Sequence, residues 1–383
     1  MEKKKIIRIS NIPQTMNLFC KGLFKELSAN YEVVAVSSPE PALKEIEERE
    51  GIRTIAVPIE RRMAPLKDIV TLYRLIKVFR KERPNLVHSV GLKAALLGMC
   101  AAYLTKVEFR VHTFTGLAFP TATGAKRALL KWIDKMICSF ATHLLPEGRG
   151  VERDLLQAKI TKKPLKVLGN GNIRGIDLEY YKISQEVERE AAAIKDSENF
   201  TFLFVGRIVA AKGINELVEA FVRLNSELPA TRLILVGGYD DGIDPISAES
   251  RKIIKTHNKI VEAGVKEDVR PWYVAADCFI LPSYREGFPN VVIEAGAMGL
   301  PSVVTDINGA NEIIIEGENG IIIPPQNAEA LYSAMKEIVT NEAARQKMAG
   351  AARSLIASRY EQSYVYGCLK EFYASLLNPQ SPK

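Results

Sequence analysis

A chain of 383 residues, 47% hydrophobic and 25% charged, has the make-up of a soluble globular protein. It exceeds one ordinary core, so two domains of roughly 150–200 residues are expected. Its net charge of +7 conceals an asymmetry: residues 1–172 carry 30 Lys and Arg against 16 Asp and Glu, a net of +14, and the remainder stands at −7.

Such a split points to a polyanionic surface, nucleic acid or anionic membrane, facing the first half. No run approaches the ~18 apolar residues of a membrane span, and the N-terminal apolar run is too short for a signal peptide. Cys20, Cys100, Cys138, Cys278 and Cys368 are scattered without metal-ligand spacing. They read as buried thiols of a reducing, cytosolic compartment rather than as disulfides.

Lys5–Ser10, with β-branched Ile6, Ile7 and Ile9, reads as a first strand, followed by a loop over Asn11–Asn17 and a helical segment to about Ala29. Further strands are expected at Glu32–Ser37, Thr54–Pro58, Leu86–His88 and Phe109–Thr113. Between them, Asp68–Lys81 repeats Ile69, Leu72, Leu75, Ile76 and Phe79 at helical spacing, and Leu92–Leu104 is another helix. Strands alternating with helices predict βαβ units and a largely parallel sheet. The pattern restarts near residue 166, where Lys166–Leu168 resembles a strand and the Gly- and Asn-rich run to Asp177 reads as a hinge. A second series follows at Phe200–Val205, Leu233–Val236, Cys278–Leu281, Ser302–Thr305 and Gly320–Ile323. Residues from Asn341 to Leu377 are helical and amphipathic.

The chemistry concentrates in the second series. After the strand Cys278–Leu281 comes a turn with Pro282, Gly287 and Pro289, then a helix from Asn290 that Gly299 and Pro301 stop. Glu286 in the turn and Glu294 in the helix are acids in an otherwise apolar stretch, at the place where open α/β sheets bind ligands. A plainer reading, one helix-start acid and one solvated helix residue, stays open on pattern alone. Gly206-Arg207 and Lys212-Gly213 follow the first strand of this series. Glycine there permits close backbone approach, and a guanidinium fork with a compact ammonium suits a diphosphate. Two ordinary surface bases would look the same. Gly237-Gly238 ends the next strand and could also admit a ligand closely.

In combination, Gly206-Arg207 with Lys212-Gly213, the run Ala275 to Ser283, and Glu286 with Glu294 resemble the family 4 retaining glycosyltransferases, more narrowly their bacterial capsular and exopolysaccharide branch. First-half counterparts are Glu48 to Ile52, Glu60 to Asp68 and His112 to Gly116. The resemblance implies an α/β GT-B fold, two Rossmann-like domains with parallel sheets facing across a cleft. Residues 1–172 would be the acceptor-side domain, 173–360 the nucleotide-sugar domain, and 361–383 a helix crossing back to the first. Arg207 and Lys212 would hold the donor diphosphate, with Gly206 alongside, and Glu294 the ribose hydroxyls. Glu286 would contact donor-sugar hydroxyls, helped by Gly287, Phe288 and Asn290. His112 would contact the donor sugar, completing a catalytic set with Arg207, Lys212 and Glu286. The family retains anomeric configuration and needs no obligatory metal. Many relatives carry a glycine-rich loop after the first strand, whereas this chain has Asn11 to Asn17 without glycine, so no role is carried onto Thr15 or Asn17.

The expected reaction is transfer of a hexose or N-acetylhexosamine from a UDP-sugar to an undecaprenyl-diphosphate-linked saccharide, at the inner face of the cell membrane. Two segments, Arg61–Arg83 and Lys126–Leu145, combine basic residues with apolar ones and would hold an anionic membrane peripherally. The competing reading packs their apolar residues into the sheet and leaves the bases solvated. Nucleic acid is not expected as a partner, since aromatics are not interleaved among the bases. A nucleotide-sugar epimerase or sugar phosphorylase of the same architecture is the alternative enzyme. A non-enzymatic membrane- or nucleic-acid-binding protein leaves the cation and acid motifs unexplained.

Overall fold

The computed structural model describes residues 3–60, 64–240, 242 and 244–378. The chain forms two compact units, one of residues up to Gly175 together with those from Ser363 onward, the other Ile176–Gln362.

The first unit holds β1 (Lys5–Ser10), β2 (Glu32–Ser37), β3 (Arg53–Ala56), β4 (Leu86–Val90), β5 (Phe109–Phe114) and β6 (His143–Pro146). All pair in parallel, in the order β3-β2-β1-β4-β5-β6. The second unit repeats this with β7 (Phe200–Val205), β8 (Thr231–Val236), β9 (Ile260–Gly264), β10 (Cys278–Leu281), β11 (Ser302–Thr305) and β12 (Gly320–Ile323), in the order β12-β11-β10-β7-β8-β9. Each order is that of a doubly wound Rossmann sheet. The strand direction of winding reverses between β1 and β4, and again between β7 and β10, opening a crevice at the carboxyl ends of those strands. Central strands such as Leu86–Val90 and Cys278–Leu281 are buried throughout, which explains the continuous apolar run of Cys278–Leu281.

Helices cover both faces of the first sheet. Pro65–Glu82, Leu92–Leu104 and Gly124–Phe140 pack through Leu75, Phe79, Ala95, Ile133 and Ile137 on one side. The other side is covered by Leu23 and Phe24, by Ile46 and by the helix Gln362–Leu377, which contributes Tyr366, Phe372 and Tyr373. Its Tyr373 reaches a buried guanidinium: Arg8 donates to the Tyr373 hydroxyl at 2.8 Å and to His88 Nδ1 at 3.1 Å. An arginine can only donate, so Nδ1 of His88 is the acceptor, and its protonated Nε2 donates to Thr113 Oγ1 at 2.7 Å. Burial and the adjoining Arg8 charge hold His88 well below its ordinary pKa, keeping it neutral.

Several local expectations are corrected. Asn11–Asn17 is not a loop, because Pro13 opens a helix, Pro13–Phe19; its fixed φ suits a first helical position. Gly22, at φ +82°, then separates this helix from Leu23–Ser28. Lys166–Leu168 is not a strand, and only neighbouring Leu165 makes an isolated bridge, to Leu144. Strands β6 and β9 were not foreseen. Both lie at sheet edges, and β9 exposes Val261 and Glu262, so it lacks the apolar run of a central strand. Residues 61 and 62 of the basic segment lie outside the described residues.

Candidate active site

The crevice between β7 and β10 brings the motif residues of the second unit together. β7 ends at Val205, and after Gly206 and Arg207 a single 3₁₀ turn, Ala210–Lys212, leads through Gly213 into the helix Ile214–Glu227. Gly213 is at φ +71°, and a Cβ there would overlap the carbonyl oxygen of Pro282 at the end of β10. Glycine is therefore required twice, for the left-handed backbone and for the close approach. The contact is reinforced by Tyr284 N donating to Ala211 O at 2.9 Å and Ser283 Oγ donating to the same carbonyl at 3.2 Å. This clamp places the Lys212 ammonium against the Glu286 carboxylate in a direct ion pair, with both side chains largely shielded.

Arg207 is placed differently. Its side chain is 62% exposed and donates to Asp240 at 2.9 Å, so the two cations predicted to act together are each held by a different carboxylate. At the end of β8, Gly237 has φ +148° and a Cβ there would overlap the Gly206 carbonyl oxygen. Neighbouring Gly238 accepts from Ile208 N at 2.8 Å. The β7 and β8 ends thus meet backbone to backbone at Gly206 and Gly237.

Beyond Glu286, Gly287 and Phe288 pass under Gly309, whose added Cβ would lie 2.6 Å from Gly287 O and 2.7 Å from Phe288 Cα. Phe288 is buried, edge-on to Tyr360 at 5.6 Å. Asn290 is the first residue of the helix Asn290–Ala297, which follows this turn. Glu294, only 7% exposed, accepts from the fully buried Tyr273 hydroxyl at 3.3 Å. It is therefore not a solvated helix residue. The helix can lie deep because Gly296 faces the helix Glu342–Tyr360, where a Cβ would come 2.6 Å from Ile356.

His112 belongs to the first unit, in β5, and is 2% exposed. Its Nδ1 lies 3.1 Å from the Ser89 carbonyl oxygen and 3.0 Å from Ser89 Oγ, with the ring edge-on to Phe114 at 4.4 Å. A carbonyl can only accept, so Nδ1 carries the proton and Nε2 is left with its lone pair. Burial, partly offset by the Ser89 bond, lowers its pKa to about 4, so the ring is neutral at physiological pH.

Sequence reasoning missed the supports of this site. Tyr284 donates to Glu216 at 2.6 Å, tying the β10 turn to the helix that follows Lys212; burial first, and then that bond, push its phenol pKa far up. Asp244 accepts from Ala211 N at 2.7 Å and braces the 3₁₀ turn. Gly309 carries no motif of its own and was visible only as one glycine among many.

The family model for group 1 glycosyl transferases matches residues 184–355, and that for glycosyl transferase 4-like domains matches 15–171. The two models together span most of the chain, which is a glycosyltransferase. This glycosyltransferase is 27% identical over the full length of both chains to the capsular polysaccharide biosynthesis glycosyltransferase CapM of Staphylococcus aureus. It is 25% identical to the UDP-Gal:alpha-D-GlcNAc-diphosphoundecaprenol alpha-1,3-galactosyltransferase of Escherichia coli, over 86% of this chain and 85% of that one. Among solved structures, Anabaena HepE in complex with UDP superposes with a TM-score of 0.81 at 18% identity, covering 97% of this chain and 100% of that one. WaaG, a glycosyltransferase of lipopolysaccharide biosynthesis, superposes with a TM-score of 0.70 at 15% identity over 98% and 100% of the two chains. The enzyme is thus an α/β protein of the GT-B class.

Proposed function

We propose that this glycosyltransferase moves a hexose or N-acetylhexosamine, with retention, from a UDP-sugar to an undecaprenyl-diphosphate-linked saccharide in surface polysaccharide synthesis. The observation that carries the donor half is the Lys212–Glu286 pair clamped at the β7/β10 crevice. An ammonium held there can pass from carboxylate to phosphate when the donor arrives, freeing Glu286 for sugar hydroxyls. Departure of UDP builds negative charge, and fixed cations lower the barrier as that charge develops. Arg207 is assigned the same diphosphate after release from Asp240. Glu294 is assigned the ribose, and the Gly287–Asn290 backbone the sugar. His112, neutral with an Nε2 lone pair, is a hydroxyl acceptor for the donor sugar rather than the base of an inverting reaction. No metal is required by this scheme.

The acceptor half is supported by the resemblance to the E. coli enzyme, whose named acceptor is a diphosphoundecaprenol-linked GlcNAc. Access to the lipid acceptor is assigned to an anionic membrane surface, peripherally; among the described residues no helix is long and apolar enough to cross a membrane. Incubating the purified enzyme with a panel of UDP-sugars and lipid-diphosphate-linked saccharides tests the proposal. Mass spectrometry should find a glycan longer by one sugar, and linkage analysis an α bond from an α donor. A β bond would overturn retention. Folded protein that extends no acceptor across the panel would overturn the proposed reaction.

A further inference from the structure

The helix Pro65–Glu82 has two apolar stripes. The first faces the sheet through Thr71, Leu75 and Phe79. The second comprises Leu66, Ile69, Val70 and Tyr73, which are 81%, 66%, 47% and 57% exposed. At 3.6 residues per turn these four fall on the side opposite the buried stripe. A helix that only covered a core would have solvated residues there. The same outward face continues with Lys77 and Arg80, and Lys77 Nζ lies 4.5 Å from the Tyr73 ring centroid. Apolar side chains thus occupy the first half of the face and cations the second.

The helix Gly124–Phe140 repeats the arrangement. Residues 124–129 are all exposed, Leu129 and Trp132 stand 47% and 54% exposed, and Lys126, Arg127 and Lys135 are exposed beside them. Both helices pack on the same face of the first sheet, either side of Leu92–Leu104. Each connects two parallel strands, β3 to β4 and β5 to β6, so each runs back against the strand direction. Their first halves therefore lie at the carboxyl ends of the strands. Both apolar ridges sit at that one end, on the functional edge of a Rossmann sheet.

We infer that the exposed first halves of Pro65–Glu82 and Gly124–Phe140 form a membrane-docking surface that seats the ridges Leu66–Tyr73 and Leu129–Trp132 among the headgroups of an anionic bilayer. Charge complementarity selects this occupant: the ridges are flanked by lysine and arginine, which anionic lipid attracts. Lysine is depleted from the cores of protein–protein interfaces, so a protein partner or a second copy fits less well. An aromatic at the end of each ridge, with cationic side chains beyond, is the arrangement of a side-chain belt at a membrane interface. The surface rests on the lipid-acceptor reading for its purpose but not for its existence, and the test separates the two.

The full chain carrying Trp272→Phe has Trp132 as its one tryptophan and is mixed with vesicles of phosphatidylcholine alone or with phosphatidylglycerol, without donor or acceptor. Trp132 emission should shift to the blue and be quenched by brominated lipid on the anionic vesicles, with co-sedimentation falling about tenfold or more as salt rises from about 0.05 to 0.5 M. Ile69→Ser with Trp132→Ser should weaken vesicle binding by about tenfold or more in co-sedimentation, while turnover of a short-chain, water-soluble acceptor stays unchanged. Binding undiminished in that variant, no quenching by brominated lipid, or concentration-dependent dimerisation abolished by Ile69→Ser would each overturn the inference. Vesicle binding without any transfer to lipid-linked sugars would sustain the docking surface and reject the acceptor instead.

Discussion

Gly213→Ala is the most informative single substitution, because the structure supplies its own control. Gly213 and Gly317 both have φ +71° and both lie in the second unit, but a Cβ on Gly317 meets nothing within 4 Å. At Gly317 alanine costs only the left-handed backbone, roughly 1–2 kcal/mol. At Gly213 the new methyl also overlaps the Pro282 carbonyl oxygen and lies 2.8 Å from its carbon. Relief requires the 3₁₀ turn to part from the β10 end, an overpacking term of about 1–3 kcal/mol, so the total is roughly 2–5 kcal/mol. That movement carries Lys212 away from Glu286. In a Trp132→Phe background, Trp272 reports unfolding of the second unit alone. The Gly213→Ala midpoint in urea should fall clearly below that of Gly317→Ala, and turnover should drop with it. Equal midpoints with full turnover would refute the close approach as the element that sets the ion pair.

Lys212→Ala and Glu286→Ala should each lower turnover by about a hundredfold or more with an unchanged circular dichroism spectrum; near-normal rates in both would remove them from the site. Asp134, buried in the helix Gly124–Phe140, has its pKa pushed up by burial from 3.8 to about 7. The unfolded chain sheds this proton near pH 3.8 and the folded one keeps it to about pH 7. The contribution of Asp134 to stability is therefore greatest below that window, falls through it by at most about 4 kcal/mol, and stays lower above it. Asp134→Asn should raise the Trp132-monitored stability at about pH 8 and leave it little changed near pH 3.5; identical pH profiles would count against the shift. Tyr373→Phe removes the hydroxyl that Arg8 and His88 share and should cost the first unit about 1–3 kcal/mol, read as a lower midpoint from Trp132.

The parallel sheets were legible because their central strands are buried on both faces, and continuous runs such as Cys278–Leu281 leave few other readings. Strand β9 was not, since an edge strand need not be apolar. The gathering of polar residues at the β7/β10 crevice was legible where side chain and spacing coincide, as in Lys212 and Glu286. Its geometry was less so. Nothing in the spacing says that Lys212 meets Glu286, that Arg207 turns to Asp240, or that Gly309 underlies Gly287, because each contact joins segments far apart in sequence. For the basic helices, periodicity alone could not separate the two apolar stripes of Pro65–Glu82: Ile69 fits the helical repeat of Leu72, Leu75 and Ile76, yet it points outward.

The helix that closes the first unit leaves the ribosome only after the whole second unit. The second unit is one continuous stretch, complete once Gln362 has been added, but the sheet face formed by Ile6, Val33, Val111 and Leu145 waits for Val365, Phe372 and Leu377. At ~5–20 residues per second the intervening unit takes roughly 10–40 s to synthesise. Throughout that time an apolar face and the guanidinium of Arg8 lack their cover. The earlier-made half of the enzyme is thus the later to mature, and a chain halted at residue 362 would carry a finished second unit beside an unfinished, aggregation-prone first one.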